Sequence, residues 1–156
     1  MKRTFTAFAF LLLLALASIA SADIPVSPAA RDFVAKQHLG KNLPQFAQVL
    51  AKTTVTYGMV AEKIGPAEAG KGLEEQITQL LPKYQPLWDL NLAEAYQQSF
   101  TDEEMASLAA EGRASKYASK VTAKQQEVSD RMQAKSTPVL KALITDALAA
   151  LMHLGV

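Results

Sequence analysis

The chain has 156 residues, carries 16 basic and 15 acidic side chains, and contains no cysteine. The near balance of charge gives no reason to expect a nucleic acid or an anionic membrane as partner. The absence of cysteine excludes disulfides, thiol catalysis, iron–sulfur clusters and cysteine zinc sites. The fold must therefore be held together by its core alone.

The first 22 residues are typical of a secretory signal peptide. Two basic residues precede an unbroken apolar stretch over residues 7–17, and Ala20 and Ala22 form an Ala-x-Ala cleavage site. The apolar stretch is about 11 residues long, whereas a membrane span needs about 20, so a cleaved signal is favoured over an uncleaved anchor. We predict cleavage between Ala22 and Asp23, a periplasmic or secreted location, and no transmembrane span after the signal is removed.

Residues 23–156 are predicted to form one domain. Apolar residues recur at helical spacing along this part of the chain, and no stretch alternates apolar and polar residues over the length of a strand. No internal repeat or long linker interrupts it. We therefore expect an all-α, single-domain helical bundle of about six or seven helices.

Two helices are predicted in the first part of the domain. Ser27 caps the first, Pro28 occupies its first position, and Gly40 ends it. The second is predicted over residues 42–64, with a bend near Gly58 because its middle residues have poor helix propensity. The inner face of this second helix is predicted to comprise Phe46, Leu50, Thr53, Tyr57, Val60 and Ile64.

Pro82 is predicted to separate a third helix, residues 67–81, from a fourth, residues 83–99. Pro86 is expected in the first turn of the fourth helix, because a proline deeper in a helix costs about 3 kcal/mol. The spacing of Tyr84 and Trp88 favours a position in the core for both side chains. The alternative is an exposed aromatic pair at the start of the helix, which makes these two residues the candidate contact surface for a partner.

The strongest local signal marks the start of the fifth helix. Thr101 and Glu104 have the spacing of a capping box, in which each side chain binds the backbone N–H of the other residue. Phe100 and Met105 have the spacing of a hydrophobic staple around that cap. Gly112 is predicted to end this helix.

The chain after Gly112 is predicted to form two helices, residues 114–134 and about 138–153. Pro138 is expected at the start of the second of these helices. Gln125 is expected at the edge of an apolar face with its amide in water; the alternative is a buried polar residue that fixes the packing register. From residue 139 to residue 152, only three of fourteen positions are polar. The last helix is therefore expected to be largely buried in the fold, and the alternative is that it forms a homodimer interface.

No catalytic, metal-binding or phosphate-binding motif is recognisable. His38 and His153 lie at the ends of predicted helices, where positive charge suits the helix dipole. Residues 70–72 read Gly-Lys-Gly but lack the rest of a phosphate loop, and they are interpreted as a connection between helices. Haem held by His153 and a methionine is the one cofactor alternative, and methionine as core filler is favoured over it. We predict no catalytic residue, metal or cofactor.

A short motif near the middle of the chain carries a family resemblance. Following Tyr96, its residues are Phe100, Thr101, Glu103, Glu104, Met105 and Leu108. Together with the helical pattern of residues 73–152, this motif resembles the bacterial exported domain-of-unknown-function family 2059. The chain departs from the family pattern at residues 111–115, where the family continues with an aromatic pair and Ser-Pro-x-Gly. The resemblance implies an all-helical exported domain and no established activity.

The export signal and the absence of a catalytic motif lead us to expect a non-enzymatic protein that acts by contact. Such a protein would be an envelope interaction, adaptor or chaperone-like domain with a protein partner. The alternative is a small-ligand carrier or hydrolase with a site between helices near Tyr57, Trp88 and Tyr96. A polar-tipped pocket at that place would favour this alternative, and a filled core would favour the contact function.

Overall fold

The computed structural model describes residues 25–154, and these residues form six α-helices and one short 3₁₀ helix. The elements in chain order are α1 (Pro28–Lys36), α2 (Leu43–Ala51), α3 (Val55–Ile64), α4 (Pro66–Gln97), α5 (Asp102–Glu111), the 3₁₀ helix Gly112–Ala114 and α6 (Ala118–Leu154). No strand occurs in this part of the chain, and the prediction of an all-α bundle is confirmed. The predicted signal peptide and its cleavage site at Ala20, Ala22 and Asp23 lie outside the described residues.

The two longest helices, α4 and α6, run antiparallel and form the most extensive interface of the fold. Near one end of the pair, Arg131 on α6 donates a hydrogen bond to the hydroxyl of Ser99, just beyond α4 (2.7 Å). Further along, the Tyr84 hydroxyl donates to the carboxylate of Asp146 (2.6 Å). Residue numbers thus fall along α4 as they rise along α6. The remaining helices pack around this pair.

Gly72 permits a close approach between α4 and α6. A Cβ atom at this position would lie only 2.7 Å from Cδ1 of Leu151, which is itself buried. Any side chain at residue 72 would therefore force the end of the Leu151 side chain to shift. The predicted Gly-Lys-Gly connection at residues 70–72 is wrong, because this segment is part of α4.

The helix boundaries predicted at prolines are also wrong. Pro82 and Pro86 lie inside α4, and Pro138 lies inside α6. Each proline removes a backbone hydrogen bond and costs about 3 kcal/mol in a helix interior. All three prolines are on exposed positions, so the opposite faces of both helices can keep their contacts. The packing of α4 against α6 outweighs this local cost.

Residues 138–153, predicted as a separate last helix, are the C-terminal half of α6. Ser136, which precedes Pro138, is buried and accepts a hydrogen bond from the Asn91 amide of α4 (3.2 Å). The prediction that this half is largely buried is confirmed in part. One face is buried, and its residues are Leu143, Ile144, Ala147, Leu148 and Leu151, whereas Lys141, Ala142 and Thr145 are exposed. Tertiary contacts therefore keep α6 continuous past Pro138, where a new helix was predicted to begin.

The single helix predicted over residues 42–64 is wrong, because α2 and α3 are separate. The interruption lies at residues 52–54, whereas a bend was predicted near Gly58. The hydroxyl of Thr54 accepts a hydrogen bond from the backbone N–H of Tyr57 (3.2 Å) and caps α3. Threonine side chains compete in this way with a continuing helix, and here the new cap prevails.

The predicted N-cap of α1 is confirmed: the Ser27 hydroxyl accepts from the backbone N–H of Ala30 (3.2 Å). α1 ends at Lys36, four residues before the predicted end at Gly40. His38 has a positive φ of 51° in the turn that follows. α1 packs against α5 and α4 at one end of the central pair.

The predicted capping box at the start of α5 is confirmed. The Thr101 hydroxyl accepts from the backbone N–H of Glu104 (3.3 Å), and the Glu104 carboxylate accepts from the backbone N–H of Thr101 (2.9 Å). Phe100 and Met105 are both buried, as expected of a staple. Gly112, with a φ of 56°, ends α5 as predicted, because this left-handed conformation suits glycine.

An ion pair links this cap to the start of α6. The ammonium group of Lys120 donates to the Glu104 carboxylate (2.6 Å). This hydrogen bond, together with the one from the Thr101 backbone, holds the pKa of Glu104 below its usual range. Glu104 therefore stabilises both a helix end and a contact between helices.

Replacing Thr101 by alanine should lower the free energy of unfolding by about 1 kcal/mol, because one N–H of the first turn of α5 loses its acceptor. Urea denaturation followed by circular dichroism measures this change. Thr145→Ala is the matched control, since Thr145 is an exposed position inside α6. An equal loss in both variants would contradict the role of the cap.

Replacing Glu104 by glutamine should make the stability of the protein fall less steeply as the pH is lowered below about 5. Because the pKa of Glu104 is lower in the folded protein, its stabilisation is present above the unfolded value of about 4.3 and is lost as the pH falls through the folded value. Melting temperatures measured between about pH 5 and pH 3 should fall less steeply in Glu104→Gln than in the wild type. Glu75→Gln, at an exposed position of α4, should keep the wild-type slope.

Candidate functional site

The described residues contain no group of three or more histidine, aspartate or glutamate side chains that could hold a metal ion. Within residues 25–154, no helix combines the length and apolarity needed to span a membrane. His38 and His153 are exposed. The remaining candidate features of the described residues are the aromatic side chains, the grooves and the exposed apolar surface.

Tyr84 and Trp88 are buried, with 4% and 6% of their surface exposed. Their burial agrees with the core position that their spacing favours, and it contradicts the alternative of an exposed aromatic contact pair. That alternative assumed that Pro86 lies at the start of a helix, whereas the middle of a continuous α4 places both residues on its inner face. Tyr84 contributes to the α4–α6 contact through its hydrogen bond to Asp146.

Asp146 is the acceptor at the centre of this contact. The Lys83 ammonium group donates to the same carboxylate oxygen as the Tyr84 hydroxyl, at 2.8 Å. Lys83 first, and then Tyr84, hold the pKa of Asp146 below its usual range, and the pKa of Lys83 is raised in turn. This ion pair lies at the surface and joins two helices, which is a structural role.

The indole of Trp88 is packed without a polar partner. Its Nε1–H has no hydrogen-bond acceptor among the described residues and is out of reach of solvent. A buried donor without an acceptor costs about 1–3 kcal/mol. The ring of Phe46 on α2 covers Trp88, with the ring centres 6.2 Å apart.

Two of the three aromatic residues of the predicted ligand site lie together. Trp88 and Tyr96 line a groove of about 350 Å³ between α2, α4 and α6. Tyr57 is elsewhere, because its hydroxyl approaches Gly70 near the other end of α4. The other residues lining this groove, which we call the Trp88 groove, are Leu39, Asn42, Phe46, Leu92, Gln125, Val128, Ser129 and Met132.

The polar groups of the Trp88 groove are uncharged. Burial raises the pKa of the Tyr96 hydroxyl, so at neutral pH it keeps its proton. Gln125, Ser129 and Asn42 are exposed. The exposed position of Gln125 confirms the prediction that its amide lies at the edge of the apolar face.

A second groove, of about 380 Å³, lies between α1, α5 and the start of α6. Its lining residues are Phe33, Gln37, Leu39, Leu108, Gly112, Arg113, Ala118, Val121 and Thr122. We call it the Arg113 groove, because Arg113 is its one charged lining residue. Sequence reasoning did not find it, because its walls come from three separate parts of the chain.

The inner face predicted for the second helix is wrong within α2. This helix buries Leu43, Ala47 and Ala51 against the rest of the bundle. The large apolar residues Phe46, Val49 and Leu50 point outward, with 47%, 57% and 44% of their surface exposed. Small alanine side chains let the α2 backbone approach α4 and α6 closely. The spacing of the residues suits either face, so the pattern did not reveal which one is buried.

The outward residues Phe46, Val49 and Leu50 form what we call the α2 face, since positions three and four apart lie on one side of a helix. Exposed Lys41 and Lys52 flank it. From residue 33 to residue 61 the sequence contains no acidic residue. The α2 face is thus an apolar strip with a lysine near each end, and the carboxylate of Asp89 on α4 lies beside Gly40, the residue before Lys41.

Comparisons with protein-family models, with curated proteins and with solved structures found no match for this chain. Function must therefore be inferred from the surfaces of the chain itself.

The burial of Trp88, the single tryptophan of the chain, can be checked by fluorescence. We expect weak quenching by iodide, because the indole is 6% exposed. Phe46→Ala should increase the quenching, since it removes the ring that covers Trp88, and Val49→Ala should leave it unchanged. Strong quenching in the wild type would contradict the buried position.

Proposed function

We propose that this protein is an exported, non-enzymatic helical protein that acts by contact with another envelope protein through the α2 face. The observation that carries this proposal is the exposure of Phe46, Val49 and Leu50 on one short helix. A contiguous apolar strip of this kind on a soluble domain is typical of an interaction surface. An aromatic residue beside aliphatic residues is also a common composition for binding anchors.

The charges around the α2 face indicate the chemistry of the partner. Lys41 and Lys52 flank the strip, and no carboxylate occurs between residues 33 and 61. A complementary partner segment presents apolar side chains with aspartate or glutamate beside them. A symmetric pair of two copies would bring lysines of like charge together, which disfavours self-association through this face.

The remaining side-chain chemistry supports contact over catalysis. The carboxylates whose pKa is lowered, Glu104, Glu127 and Asp146, each pair with a nearby lysine. None of these carboxylates lines either groove. Neither groove contains a histidine, so a nucleophile activated by an imidazole base has no support there. The hydrolase alternative is accordingly the weaker one.

A crosslinking experiment tests the proposal in the cell envelope. A photo-reactive phenylalanine analogue at Val49 should yield an adduct of discrete mass with an acidic partner protein, whereas the same analogue at Lys141, an exposed position of α6, should yield none. Adding Leu50→Ser should reduce the adduct about tenfold, because it removes a neighbouring anchor. The intact mass of the exported protein should correspond to a chain that begins at Asp23.

Two results would contradict the proposal. One is equal labelling from positions 49 and 141, which would indicate random encounters. The other is the absence of any adduct from position 49 in a protein that is exported and folded.

A further inference from the structure

The two grooves lie end to end along one face of α6. Leu39 lines both of them, which shows that they adjoin. The residues that α6 contributes are Ala118, Val121, Thr122, Gln125, Val128, Ser129 and Met132. Their spacing of three and four residues is that of a single helix face. From residue 118 to residue 132 this face is about 21 Å long at 1.5 Å per residue. We call the combined feature the α6 cleft.

The floor of the α6 cleft is apolar along its whole length. Phe33 and Leu108 are buried at one end, and Trp88, Val128 and Met132 are buried at the other. The polar residues of α6 in the cleft are exposed and thus form its rim; they are Thr122, Gln125 and Ser129. Such a cleft suits a long, narrow apolar ligand.

The charge of the cleft is confined to one end. Arg113 is its one charged lining residue. No ion pair joins Arg113 to another described residue. A guanidinium group binds carboxylate and phosphate oxygens through paired N–H donors. The end of the cleft near Arg113 is therefore suited to an anionic group, and the end near Trp88 is suited to an alkyl chain.

We propose that the α6 cleft binds a single-chain amphiphile with one anionic headgroup, such as a long-chain fatty acid. The headgroup pairs with Arg113, and the alkyl chain follows α6 past Leu39 to Trp88. An extended peptide fits less well, because its backbone N–H and C=O groups would need hydrogen-bond partners along an apolar floor. An alkyl chain has no such groups. This proposal shares Phe46 with the α2 face, because Phe46 also lines the Trp88 end of the cleft. Val49 and Leu50 do not line the cleft, so the crosslinking test at Val49 is separate from the binding test.

Trp88 is the single tryptophan and lies at the far end of the cleft from Arg113, so it reports the position of the chain. Hexadecanoate brominated at its terminal carbon should quench Trp88 fluorescence in a saturable way, because bromine quenches on close contact. Hexadecanoate brominated beside its carboxylate should compete for the site and leave the fluorescence almost unchanged. Equal quenching by the two compounds, or no saturable quenching by either, would overturn the proposal.

Arg113→Gln tests the headgroup contact. Arg113 is exposed, so the variant should fold normally and bind hexadecanoate about three- to fivefold more weakly, the effect of an exposed ion pair. Lys116→Gln removes the same charge three residues away, outside the cleft lining, and should keep wild-type affinity. The methyl ester of hexadecanoate should bind the wild type as weakly as hexadecanoate binds Arg113→Gln. Equal affinity of the two variants for hexadecanoate would overturn the assignment of Arg113.

A lysophospholipid with an anionic phosphate offers the same chemistry from a different source. If it competes with brominated hexadecanoate and loses affinity in Arg113→Gln, the proposal holds for a phosphate headgroup. If only hexadecanoate shows this loss, the proposal holds for a carboxylate headgroup. Failure of both ligands to bind would overturn the cleft proposal and would leave crosslinking at Val49 unaffected.

Discussion

The packing of α4 against α6 is the interaction on which the rest of the structure depends. Contacts along most of both helices, from Ser99 and Arg131 to Gly72 and Leu151, hold the pair in an antiparallel arrangement. This interface keeps α4 and α6 continuous through three interior prolines, each of which costs about 3 kcal/mol in an isolated helix. The prolines lie on the exposed side, so the packed face remains unbroken. The shorter helices pack against this pair.

Both candidate surfaces arise from how those short helices cover the pair. α2 lies on α4 and α6 through Leu43, Ala47 and Ala51, and its large apolar side chains face outward. α1 and α5 cover one end of the pair. Between these two groups, no helix among residues 25–154 covers one face of α6, and this face forms the α6 cleft. The α2 face is an exposed strip with a lysine near each end, whereas the cleft is a groove with one charged lining residue. The two surfaces meet at Phe46, but their chemistry suits different ligands.

The polar interactions of the fold mostly connect helices at their edges. Asp146 joins α6 to Lys83 and Tyr84 of α4, and Glu104 joins the start of α5 to Lys120 of α6. These pairs lie at or near the surface, where an ion pair contributes little to stability but fixes the alignment of its partners. The helices are therefore aligned by polar pairs and held by apolar burial.

The sequence alone determined the helical class and those features whose partners lie within four residues. The caps at Ser27 and Thr101 and the end of α5 at Gly112 are of this kind, because their hydrogen bonds close inside one turn. For the candidate site, the sequence places Trp88 and Tyr96 on one helix face, because they are eight residues apart, and both residues line the Trp88 groove. Only the tertiary structure decided that Pro82 and Pro138 lie inside helices, that α2 turns its large residues outward, and that Arg113 stands at one end of a cleft. Each of these depends on contacts between distant segments, whose energies outweigh local propensity and leave no trace in the spacing of neighbouring residues.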